Sequence, residues 1–245
     1  MVDKNNFPAS LDEFVEGEII LINKDLEWTS FDVVNKIRHL ISRALGRKKV
    51  KVGHAGTLDP LATGLLIIAT GKSTKKLQDF LKKDKTYIAE IKFGESTPSY
   101  DGETEVNETC EFAHITKEKL QSIINEKFTG SIEQLPPMYS AVKINGKKAY
   151  EYARKGKEKE IKPRNVTIFR MEILAFNLPR VKILIECSSG TYIRSLAHDL
   201  GKEMGSCAYL TGLERVRING YSVENALTIS EFENKLKELE QSKTI

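Results

Sequence analysis

Residues 51–75, KVGHAGTLDPLATGLLIIATGKSTK, constrain this chain more than any other stretch. Gly53, Gly56 and Gly64 crowd one loop together with Asp59 and Pro60, and the apolar run GLLIIAT (64–70) follows at once. Glycine permits positive φ and the close approach of another backbone or a ligand. Gly71-Lys72-Ser73 ends the segment as a phosphate-binding loop would, but that loop needs a glycine five residues earlier, and position 66 is Leu. Asp59 precedes Pro60. That pair reads either as a turn former or as a carboxylate displayed at a strand edge by a rigid loop, available as nucleophile or base.

The flanking pattern gives the architecture. GEIILIN (17–23) and GLLIIAT read as short buried strands, and TYIAEIKF (86–93) alternates as a strand does. Thr29 and Ser30 cap a helix whose apolar face is Val33, Val34, Ile37, Leu40, Ile41, Ala44 and Leu45, stopped by Gly46. Further helices are expected from Ser73 to Leu81, from Thr116 to Phe128, near 149–155, over 191–204, and after Thr228 or Ser230. Two more strands are expected at 166–177 and 180–187. Strands and helices mix without a regular βαβ beat, so the fold class is α+β, with a mixed, mostly antiparallel central sheet flanked by helices. No linker cuts the chain, which reads as one domain over residues 1–245 with an excursion from the core at about 129–162.

Charge is segregated. Lys36–Val52 carries seven Lys/Arg and no acid, and Ala141–Arg164 carries nine Lys/Arg against three Glu. Glu95–Glu126 carries eight acids against two Lys. In a chain of net charge +4 this asymmetry fits either solvated helix faces or a polyanionic partner such as RNA or DNA. Cys110, Cys187 and Cys207 are odd in number and lack CxxC spacing, which argues against a disulfide scaffold or a zinc ribbon. The four histidines form no metal-binding pair. No run approaches the ~20 apolar residues that span a bilayer, and the start MVDKNNFPAS has no secretory h-region. A cytoplasmic setting is expected, with no metal, no cofactor, no membrane and no protein partner.

Four ordered motifs between residues 17 and 220 resemble the TruB family of tRNA pseudouridine-55 synthases. Gly53-His54-Ala55-Gly56-Thr57-Leu58-Asp59-Pro60-Leu61-Ala62-Thr63-Gly64 resembles the family's catalytic motif. Lys85-Thr86-Tyr87 resembles its K-x-Y strand. Gln134-Leu135-Pro136-Pro137-Met138-Tyr139-Ser140-Ala141-Val142-Lys143, with Gly146, Ala149-Tyr150-Glu151 and Ala153-Arg154, resembles its tRNA-gripping insertion. Cys187-Ser188-Ser189-Gly190-Thr191-Tyr192-Ile193-Arg194 resembles its second active-site strand and helix start. The first motif departs from the family's K-P-x-G-x-T-S: here Lys24-Asp25-Leu26-Glu27-Trp28-Thr29-Ser30 lacks both Pro and Gly, which leaves that loop less rigid. The residues after Gly220 are too few for the C-terminal PUA RNA-binding domain of longer members, so no separate domain of that kind is expected.

The resemblance implies the pseudouridine synthase fold and its reaction. A T-loop uridine of tRNA loses its N1–C1′ bond, the uracil turns, and C5 rejoins C1′. Asp59 would be the nucleophile; attack at C1′, attack at C6 and abstraction of a ribose proton all remain open. Tyr87 would offer a ring for the flipped base and a phenol for proton transfer. Arg194 would pair with the catalytic Asp. His54 would fill the space the flipped nucleotides vacate, Leu210 would wall the pocket, and Tyr192 would either join that wall or simply pack. Lys24, Lys143, Lys147, Lys148 and Arg154 complete the RNA-binding set. Two other readings compete: a non-catalytic RNA chaperone on the same fold, and a guide-RNA-dependent pseudouridine synthase.

Overall fold

The computed structural model describes residues 1–46, 49–157 and 159–242. Arg47 and Lys48 of the first basic segment lie outside the described residues. Along the chain run α1 (Asp12–Glu16), β1 (Ile19–Lys24), α2 (Ser30–Ala44), β2 (Val52–Ala55), β3 (Ala62–Thr70), α3 (Leu77–Leu81), β4 (Lys85–Phe93), β5 (Glu95–Ser96) and β6 (Glu108–Thr109). Then come α4 (Lys117–Lys127), β7 (Gly130–Gln134), β8 (Lys143–Ile144), β9 (Lys147–Lys148), α5 (Ala149–Ala153), β10 (Arg164–Asn177), β11 (Arg180–Cys187), α6 (Ile193–Glu203), β12 (Ala208–Ile218), β13 (Tyr221–Ser222) and α7 (Ile229–Gln241). The chain forms two compact units, Met1–Thr86 with Glu214–Ile245, and Tyr87–Leu213; the second boundary falls inside β12.

In the first unit β3 pairs antiparallel with β1, from Ile19 opposite Ala69 to Lys24 opposite Gly64, and with β2, from Val52 opposite Thr70 to Ala55 opposite Ile67. Period-two alternation sends successive β3 side chains to opposite faces. Leu66 and Ile68 join Val33, Ile37, Leu40, Ile41, Phe232 and Leu236 of α2 and α7, whereas Leu65 and Ile67 join Leu21, Ala55 and Ile218. Two buried faces explain why GLLIIAT is apolar throughout. Thr29 caps α2 in a full capping box with Asp32, and Thr228 caps α7 the same way with Glu231. Glu233 of α7 binds Lys36 and Arg43 of α2, at 3.2 and 3.6 Å.

In the second unit the sheet order is β12, β4, β11, β10, β7. β10 pairs antiparallel with β11 and, over Arg164–Ile168, with β7. Residues 130–134, expected to leave the core, are therefore a sheet strand. Two register shifts interrupt the β10–β11 ladder, and the residues left over, Phe169 and Leu174, are both exposed. On α6, Ile193, Leu196, Ala197 and Leu200 recur at helical spacing and are buried. The α+β class and the mostly antiparallel sheet agree with the sequence reading. The cysteine reading does not: Cys110 and Cys207 are bridged, and Cys187 is free and buried. The cause is tertiary. Gly94 accepts from Cys110 N–H and donates its own N–H to Cys207 C=O, which sets the two residues side by side across 97 positions of sequence.

The turn after β1 carries a left-handed residue that is not glycine, the exposed Glu27 at φ 66°. That conformation costs a side-chain-bearing residue about 1–2 kcal/mol, whereas glycine adopts it freely but loses more chain entropy on folding. Glu27→Gly is expected to raise stability by about 0.5–1 kcal/mol, read as a higher urea midpoint at unchanged slope.

Candidate active site

In the first unit, β2 and β3 leave Gly56–Leu61 as the connecting loop. Its backbone is held on both sides of Asp59. Ser30, the first residue of α2, is buried; its hydroxyl accepts from Leu58 N–H at 2.8 Å and donates to Leu58 C=O at 3.1 Å. Pro60 C=O accepts from Glu27 N–H at 2.9 Å and from Lys24 Nζ at 3.4 Å. Asp59 C=O accepts from Ala62 N–H. Arg215, 1% exposed, donates from Nε to Leu65 C=O at 2.8 Å and from Nη2 to Gly56 C=O at 3.0 Å. Gly64, at φ 102°, lies so close to the Arg215 backbone that a Cβ would sit 2.4 Å from its carbonyl oxygen. Any side chain there would displace the arginine that holds the loop.

Three of the expected residues, Lys24, His54 and Asp59, lie in this unit. Lys24 is 0% exposed, and its ammonium donates to Asp25, Trp28 and Pro60 carbonyls. It therefore fastens the two loops together inside the protein, which differs from the RNA-contact role expected of it. Burial pulls its pKa down to about 8, against the opposing pull of Asp25 and Asp59. Burial and the Arg215 charge push His54 below its ordinary value, so its ring is neutral at physiological pH.

In the second unit Arg194, on the first turn of α6, and Asp101 are each 5% exposed. Their side chains meet at 3.4 Å, Nη1 to Oδ2. Nη1 also donates to Ser99 C=O at 3.2 Å and Nη2 to Tyr139 C=O at 2.9 Å. The other Asp101 oxygen accepts from the Ser99 hydroxyl at 2.6 Å and from Glu103 N–H at 2.9 Å. Leu210 N–H donates to Tyr100 C=O, which ties β12 to the same loop. Gln134 clasps Tyr192 through both its backbone groups, at 2.8 and 3.0 Å, and the Arg164 guanidinium lies 4.8 Å from the Tyr192 ring centre. Tyr87 is buried on β4. Lys143, Lys147 and Lys148 stand exposed on the β8–β9 ribbon, while Arg154 bonds Glu103 at 3.0 Å. Lys148 and Arg154 both lie over the Tyr150 ring, at 5.4 and 5.3 Å.

Asp101 and Arg215 are structural partners the sequence reading did not single out. Asp101 stood there as one of eight acids, and Arg215 sits in a mixed polar strand. Among the described residues one group of metal-ligand types converges, Glu108, Cys110 and Cys207, but its sulfurs are bonded to each other and offer no thiolate.

The α+β architecture with its mostly antiparallel sheet is the pseudouridine synthase fold. The structure resembles one titled "Crystal Structure of a Cbf5-Nop10-Gar1 Complex" at TM-score 0.69 and 26% identity, covering 96% of this chain and 58% of that one. The family model "TruB family pseudouridylate synthase (N terminal domain)" matches residues 43–193. A relative named tRNA pseudouridine synthase B, from Parabacteroides distasonis, is 49% identical over 92% of this chain and 96% of its own length. One of the same name from Flavobacterium johnsoniae is 46% identical over 92% and 99%. The chain belongs to the TruB family of pseudouridylate synthases.

The depressed Lys24 pKa has a sign that can be measured. Below about pH 8 the amine is charged in both folded and unfolded chains, and the folded state bears the full desolvation penalty. Between about 8 and the ordinary lysine value of 10.5 the unfolded chain binds more protons, so this group's contribution to stability rises with pH. Unfolding free energies from pH 7.5 to 10.5 should climb in wild type relative to Lys24→Met; parallel curves would mean an unshifted amine.

Proposed function

We propose that this protein is a tRNA pseudouridine synthase acting on uridine 55 in the T loop. The observation that carries this reading is the similarity to tRNA pseudouridine synthases over nine-tenths of the chain, spanning the Asp59 loop. The reaction is an isomerisation: N1–C1′ breaks, C5–C1′ forms, C5 gives up its proton and N1 ends protonated. Asp59 supplies the nucleophile that assists departure of uracil, which is a poor leaving group. The Lys24 and Arg215 cations hold the backbone of its loop at Pro60 and Gly56. Arg194 is the cation that keeps a catalytic carboxylate ionised, and its bonds to Asp101, Ser99 and Tyr139 fix the guanidinium. The target base must leave its stack at a cost of a few kcal/mol. Tyr87, His54, Tyr192 and Leu210 are the side chains assigned to receive it and its neighbours.

Treating an unmodified tRNA transcript with the pure protein and mapping pseudouridine tests the activity and the position together. Asp59→Asn is expected to abolish turnover while tRNA affinity stays within a few-fold; turnover within tenfold of wild type would remove Asp59 from the nucleophile role.

Affinity is assigned to phosphate contacts by the exposed β8–β9 lysines, and selectivity to the shape of the T arm. An isolated T stem-loop should then be modified nearly as well as whole tRNA. Replacing Lys147 and Lys148 together by Ala should weaken binding and reduce the slope of log affinity against log salt by about one unit per lost contact. An unchanged slope would mean that these lysines only solvate the ribbon.

A further inference from the structure

Asp101 and Tyr100 are neighbours in sequence, yet both are held by one face of α6. Arg194 binds the Asp101 carboxylate. His198, one helical turn further along, stacks its ring on Tyr100 with centroids 3.8 Å apart and planes 11° from parallel. In extended backbone, successive side chains point to opposite sides. Presenting two in a row to the same helix needs a break in that alternation, and Tyr100 supplies it by adopting φ 62°. A bulky residue in the left-handed region persists only where its surroundings over-determine it. Here the surroundings are Tyr100 N–H on Thr97 C=O, Leu210 N–H on Tyr100 C=O, and the stacked imidazole.

His198 is half-buried, its Nδ1 has no hydrogen-bond partner, and burial lowers its pKa to about 4. The ring is neutral at physiological pH. What α6 offers Tyr100 is a flat face, with neither charge nor a donated proton from Nδ1 required.

We propose that Tyr100 and His198 are positioning residues which hold the left-handed turn and thereby keep Asp101 on Arg194. The inference rests on the assignment of Arg194 to pseudouridine formation. Neither residue touches the reacting atoms; both act through Asp101.

The test compares single-turnover pseudouridine formation and tRNA affinity for wild type, His198→Leu, His198→Phe, Asp101→Asn and the double variant His198→Leu/Asp101→Asn. A fall of tenfold or more is expected for His198→Leu, with affinity within twofold of wild type. His198→Phe, which restores a flat ring, should bring the rate back to within threefold. The double variant should be no slower than Asp101→Asn alone, because the ion pair through which His198 acts is already gone. A wild-type rate in His198→Leu, or effects that multiply in the double variant, would overturn the proposal. If His198→Leu does not fold, Tyr100→Leu against Tyr100→Phe asks the same question from the other ring, with loss expected for Leu and recovery for Phe. An inactive wild type in the same assay would instead overturn the assigned function, so the two failures are separable.

Discussion

Buried cations bonded to backbone carbonyls are the interaction on which each of the two units depends for its functional loops. Lys24, Arg215 and Arg194 are each nearly or wholly inaccessible, and each gives its protons to main-chain oxygens: Asp25, Trp28 and Pro60 for Lys24, Gly56 of the loop and Leu65 of β3 for Arg215, Ser99 and Tyr139 for Arg194. A charge taken from water must be hydrogen-bonded, because removing its partners leaves a penalty of several kcal/mol. The bonds therefore fix the carbonyls as firmly as the carbonyls fix the charge. Loops that would otherwise wander become parts of the scaffold, and the side chains between the pinned carbonyls, Asp59 among them, inherit that rigidity.

Local signals were legible in the sequence wherever they coincided with the fold. Thr29, Thr116 and Thr228 each cap the helix expected of them, and the apolar face of α2 is the buried one. Features set by distant contacts were not legible. β2 reads VGHA, with no alternation to mark it, and it is a strand only because β3 lies beside it. β12 mixes Thr, Glu and Arg with apolar residues, and its buried arginine makes sense only once the Gly56 and Leu65 carbonyls are in place. Asp101 is marked by nothing local, since its partner is on a helix far along the chain. The same holds for Cys110 and Cys207, which spacing rules cannot pair. In the candidate site, Asp59 stood out because glycines and a proline surround it. The supporting residues did not, because their roles are tertiary.

Charge patterning was an incomplete guide for the same reason. Two basic segments looked alike in sequence. In the first, Lys36 and Arg43 bind Glu233, an acid contributed from near the other end of the chain. In the second, Lys143, Lys147 and Lys148 are exposed, and Lys148 shares the Tyr150 ring with Arg154. Neutralisation by a distant helix and exposure on a ribbon give very different fields from the same letters.

The two irregularities of β10 bear on how the protein behaves in a crowd. β7 covers one side of β10 only as far as Ile168. Beyond that point the strand could serve as a template for another chain's backbone, which is the route to edge-to-edge aggregation. The extra residues at Phe169 and Leu174 fall on that stretch, and each bulge bends and twists the strand locally. A flat row of donors and acceptors is thereby broken into short pieces that a straight incoming strand cannot follow. Two apolar side chains left in solvent are the cost of this protection, and they place it where the sheet's own pairing stops.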